Sequence, residues 1–129
     1  MKRIILGLRL LVNLTLAAMF FLFASVQFND PDPLIWVLAY SLTAVFSLLF
    51  LWRLIAEKLK WVYLGIALVM FIGSFLQFPP TWEGFGAEMK TENNELARES
   101  IGLLLCGLVL LIQFATIKPY DSGSASNTN

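Results

Sequence analysis

The sequence contains no histidine and a single cysteine, Cys106. Without histidine, most zinc, copper and haem sites are excluded, as are nucleophile–histidine pairs of the Ser-His or Cys-His kind. One cysteine cannot form an internal disulfide and is silent on redox compartment. Charged residues make up only 14% of the chain, and no basic arm or patch of the kind nucleic acid requires is among them. No apolar run carries an acid or a lysine near its centre, which argues against a proton relay or ion pump. There is no nucleophile motif and no phosphate-binding loop, and no cofactor is expected.

What is abundant is apolar surface. The chain has 129 residues, 58% of them hydrophobic, and a mean hydropathy of +0.74. A soluble domain of this size has too little interior to hide that much apolar area, so lipid is its natural solvent. A membrane-crossing helix needs about 20 mostly apolar residues. Four stretches qualify: 4–27, 34–52, 61–78 and 101–117. The predicted fold is an all-α membrane protein, an antiparallel four-helix transmembrane bundle forming one domain over 1–120, with a disordered cytoplasmic tail over 121–129. The first apolar run is too long for a signal-peptide core and lacks a small-x-small site before Gln27, so an uncleaved span is expected there.

Charge is distributed unevenly between the two ends of these stretches. Lys2, Arg3, Arg9, Arg53, Lys58, Lys60 and Lys118 face only Glu57 and Asp121, giving one side a charge of +5. The 28–33 and 79–100 connections carry Lys90 and Arg98 against Asp30, Asp32, Glu83, Glu88, Glu92, Glu95 and Glu99, a charge of −5. Basic residues stay in the cytoplasm, so a multi-pass protein of the cell (inner) membrane with both termini inside is predicted. Aromatics form a belt at each level: Trp36, Tyr40 and Trp82 on the outside, Trp52, Trp61, Tyr63 and Tyr120 on the inside.

A faint repeat accompanies this plan. SVQFNDPDPLIW and SFLQFPPTW place Gln27-Phe28 and Gln77-Phe78 50 residues apart, each followed by proline and then tryptophan. One reading is duplication of a helical hairpin, giving two tandem hairpins; the other is coincidence among residues common at membrane interfaces.

Three groups of residues are candidates for function. The corner Asn29-Asp30-Pro31-Asp32-Pro33 is rigid, because each proline restrains itself and the residue before it. Asp32 is expected to cap the second span through its carboxylate, with Pro33 as the first helical residue. The fourth span is expected to begin well before the membrane, capped by Asn93 or Asn94. It puts Glu95, Arg98 and Glu99 on one face that continues through Gly102, Cys106 and Gln113 toward the bundle interior. On the first span, Asn13, Ala17, Phe20, Ala24 and Gln27 recur at helical spacing, Arg9 lies one turn nearer the cytoplasm, and Asn13 and Thr15 read as interhelical hydrogen-bond donors or acceptors. The third group is PPTWEGFGAE, where Trp82 and Phe85 flank Glu83 in a loop suited to the outer leaflet or to a partner's surface.

The stretches QFNDPDPLIWVLAY (27–40) and ELARESIGLLL (95–105) resemble the transmembrane protein 220 family of small four-span proteins. The resemblance implies the four-span architecture and highlights Asn29, Asp30, Asp32, Trp36, Tyr40, Arg98 and Glu99; it implies no reaction. Three functional expectations follow. The first is a non-enzymatic accessory or assembly subunit of a larger membrane complex, with the lipid bilayer and partner subunits as its contacts. The second is a binder of a divalent cation or small polar ligand at an acidic outer mouth formed by Asn29, Asp30, Asp32, Trp36, Tyr40, Trp82, Glu95, Arg98 and Glu99. The third is a lipid-modifying enzyme using paired carboxylates.

Overall fold

The computed structural model describes residues 1–81 and 92–119, and these are all-helical, with no strand among them. Helix α1 is Lys2–Val26, continued by a 3-10 turn at Gln27–Asn29; α2 is Pro33–Leu49, α3 Arg53–Lys58, α4 Lys60–Leu76 and α5 Glu92–Thr116. The expectations for Trp82, Phe85, Tyr120 and the 121–129 tail lie outside the described residues. Helix α1 packs along α2, α4 packs along α5, and the two pairs meet mainly where α2 lies against α5.

Two helical segments are long and apolar enough to cross a membrane, Lys2–Asn29 and Asn94–Thr116. Helices α2 and α4 are equally greasy but have 17 residues each, a length of about 25 Å. Their apolar stretches were expected to run to residues 52 and 78. The helices stop earlier because residues 50–52 turn into α3 and Gln77 ends α4. The 53–60 connection, expected to be a plain loop, is largely the short helix α3.

The surface is far more apolar than that of a water-soluble bundle. Large apolar side chains such as Ile4, Leu8, Leu22, Val69, Ile72, Phe75 and Ile112 are exposed, while Asn13, Thr43, Ser47, Ser74, Ser100 and Gln113 are buried, as are aromatics such as Phe20 and Tyr63 and alanines at 17, 24, 39, 44, 67 and 97. Lipid tails are as apolar as leucine, so sequestering leucine gains nothing there. Small residues that let backbones approach, and polar groups that bond across helices, hold such a bundle together. This protein therefore resides in a membrane.

Two polar contacts show how. Ser74 Oγ donates to the Ser100 carbonyl at 2.7 Å while Ser100 Oγ donates to the Ser74 carbonyl at 2.8 Å, a reciprocal clasp of α4 to α5. Deeper in, Gln113 Nε2 of α5 donates to Asn13 Oδ1 of α1 at 3.1 Å and to Ser47 Oγ of α2 at 3.0 Å. Asn13 thus bonds across helices as expected. Thr15 does not: it is exposed and its hydroxyl donates to the Leu11 carbonyl of its own helix. The aromatic belt is also revised. Trp36, Tyr40 and Tyr63 are buried in the bundle, and Tyr63 donates to the Phe46 carbonyl at 2.6 Å, leaving Trp52 and Trp61 exposed near the other end.

Gln113 ties three helices with one amide. Gln113→Ala should lower stability by about 1–2 kcal/mol, the scale of interhelical side-chain hydrogen bonds in membranes; reversible unfolding in mixed micelles measures it. Ile112→Ala on the exposed face of the same turn should cost far less.

Candidate functional site

The α1–α2 corner is built by its prolines. The 3-10 turn ends at Asn29, Asp30 is extended, and Pro33 opens α2 at its first helical position. Asp32 occupies the N-cap position, but its carboxylate makes no capping bond and is exposed. Its backbone, at φ −121° and ψ 64°, does not have the usual extended N-cap conformation. With α2 starting at Pro33, Trp36 and Tyr40 fall four residues apart on one face and both are buried.

Tyr40 is held from two sides. Its ring lies 6.3 Å from Phe20 in a stacked arrangement and 5.8 Å from Phe23 edge-on, both on α1. Its hydroxyl fills the space a Cβ would occupy at Gly102 of α5. Any larger residue at 102 would strike it, so glycine there sets how closely α5 approaches α2. One turn earlier, α5 presents Glu99, Arg98 and Glu95. Helix α5 begins at Glu92, so Asn93 and Asn94 lie inside its first turn and are not its cap. These charged residues precede the apolar run that starts at Ile101.

Between the corner and this charged turn lies a small cleft of about 50 Å³, lined by Gln27, Asp30, Trp36, Tyr40, Glu95, Arg98 and Glu99. The structure therefore gathers six of the nine residues singled out in the sequence. Asn29 and Asp32 are exposed and do not line the cleft, and Trp82 lies outside the described residues. Gln27, which the sequence places on the α1 stripe and in the corner motif but not among the candidate ligands, joins the lining. The signal was there: it sits one turn above buried Ala24 on the same face. Among the described residues, no group of three or more acidic, cysteine or histidine side chains is arranged to hold a metal ion. The carboxylates share a cavity without meeting at one point.

Glu99 is the half-buried member. Glu95, Asp30 and Arg98 are its charged neighbours in the cleft lining. At the other end of the bundle, Trp52, Arg53, Leu54 and Ile55 line a shallow apolar hollow of about 280 Å³. There Arg9 donates to the Phe50 carbonyl and places its guanidinium 4.3 Å from the Phe50 ring, closing the C-terminal end of α2.

The model of the family described as "Transmembrane family 220, helix" matches residues 19–115. The chain belongs to transmembrane family 220. The matched region runs from the last third of α1 almost to the end of α5, so every residue lining the cleft falls within the family's own span. No curated protein and no solved structure matches the chain.

Proposed function

We propose that this family member is a four-span, multi-pass protein of the cell membrane, termini in the cytoplasm, that binds a small positively charged polar ligand in the cleft at its outer end. One observation carries the reading: Asp30 and the Glu95–Glu99 turn, more than 60 residues apart in sequence, line one cavity together with buried Trp36 and Tyr40. Three carboxylates lining a small cleft attract cations, and the buried side chains of Trp36 and Tyr40 beside them lower the local dielectric.

The pairing of the helices supports four crossings. Helix α2 lies along α1 and α4 along α5, so each shorter helix shares the depth of a helix long enough to span. A hydrophobic length of about 25 Å is accommodated by local thinning of the bilayer and by flanking residues. The charge difference across the bundle orients it with the cleft outside. The accessory-subunit reading draws on the small size of the chain, its small-residue helix stripes and the loop bearing Trp82, and the lipid-modifying one on the carboxylates alone. A divalent ion gains less support than an organic cation, because Arg98 shares the cleft and the carboxylates form no metal cluster.

Thermal-shift measurements in detergent at pH 8 with ammonium, methylammonium, ethanolamine, Mg²⁺ and Ca²⁺ test this. An organic ammonium should raise the melting temperature of the wild type, and Glu99→Gln should reduce that rise. The absence of any cation-dependent rise would remove the proposal.

A further inference from the structure

The lining of the cleft is more particular than a sink for positive charge. It combines three carboxylates and two aromatic walls with one guanidinium, Arg98, which is exposed and sits on the same helical turn as Glu95 and Glu99. A ligand that were only a cation would meet repulsion from Arg98 as it entered. A ligand carrying an anionic group beside its cation turns that repulsion into a charge-assisted hydrogen bond. Size adds a second constraint. About 50 Å³ is room for roughly three or four water-sized probes, which accommodates a primary ammonium and its adjoining methylene but not a trimethylammonium.

Depth adds a third. Gln27 lies at the end of the apolar run of α1, Trp36 in the first turn of α2, and Glu99 two residues before the apolar run of α5. The cleft thus opens at the level where hydrocarbon gives way to polar headgroups, and its rim is the exposed guanidinium.

We infer that the cleft takes a phosphoethanolamine group, its primary ammonium among Asp30, Glu95 and Glu99 beside Trp36 and Tyr40, its phosphate on Arg98. The inference rests on the cation-binding reading above and specifies its ligand. The same chemistry has two sources, the headgroup of phosphatidylethanolamine and free phosphoethanolamine. Arg98 is then the residue that selects a zwitterion over a simple amine, and the tightness of the cavity selects a primary ammonium over a methylated one.

Calorimetric titration of the full chain at pH 8, in phosphatidylcholine nanodiscs, with ethanolamine, phosphoethanolamine and phosphocholine tests it. Phosphoethanolamine should bind roughly tenfold more tightly than ethanolamine, the worth of one hydrogen bond to a charged partner, and phosphocholine should not compete. Arg98→Gln should bind phosphoethanolamine and ethanolamine alike, while Arg98→Lys keeps part of the preference. Repeating the titration in phosphatidylethanolamine nanodiscs separates the sources. Suppressed binding there identifies the lipid headgroup and unchanged binding identifies the free compound, and both support the inferred chemistry. Ethanolamine binding as tightly as phosphoethanolamine, or phosphocholine binding equally well, would overturn the inference and leave the cation-binding reading intact. No binding of ethanolamine or of phosphoethanolamine would overturn both.

Discussion

The close approach of α5 to α2 at Gly102 and Tyr40 is the contact on which the rest of the molecule depends. In lipid there is little to gain from burying leucine, so a bundle holds together only where backbones come near and polar groups find partners across helices. Helix α5 does this at three depths. Ser100 clasps Ser74 of α4, Gly102 receives the hydroxyl of Tyr40, and Gln113 bonds both Asn13 of α1 and Ser47 of α2. Gly107 adds a fourth contact, its Cα facing the Phe71 ring of α4 closely enough that a Cβ would lie 3.0 Å from it. One helix thereby fastens two helical pairs, which also meet where Tyr63 of α4 packs on the end of α2.

The two ends of the bundle differ in kind. At the end carrying the basic residues, the carbonyls at the close of α2 are satisfied by side chains from both pairs, Arg9 from α1 and Tyr63 from α4, with Phe46 and Phe50 packed against Tyr63. Cations and donors at a helix C-terminus complement its partial negative charge. At the opposite end prolines stiffen the α1–α2 corner, and Glu95 and Glu99 on the early turns of α5 line one cleft with Asp30. The two ends thus differ in how their side chains meet the helix termini.

Much of this was legible in the sequence, and the reasons are specific. The stripe Asn13, Ala17, Phe20, Ala24 was readable because polar and small residues at helical spacing stand out in an apolar run, and all four are buried. Likewise Gly102, Cys106 and Gln113 mark the inward face of α5. The corner residues Asp30, Trp36 and Tyr40 came with the proline spacing. What escaped depends on finer balances. Whether Asp32 caps α2 through its side chain, or whether α5 begins at Glu92 and not after Asn94, turns on local differences of about 1 kcal/mol that neighbours decide. The hydroxyl of Thr15 has an acceptor in its own helix four residues back, so composition could not tell glue from self-satisfaction.

The central claim is that the corner after α1 and the charged turn of α5 face each other across one small cleft in the membrane-embedded protein. Its most direct test is thiol cross-linking in native membranes of Asp30→Cys paired with Glu99→Cys, in a Cys106→Ala background. A short bifunctional reagent should join residues 30 and 99 within one chain rapidly, while Asp30→Cys paired with Lys118→Cys at the opposite end should stay unjoined. Failure of the 30–99 pair to cross-link in protein whose single thiols both react would contradict the account.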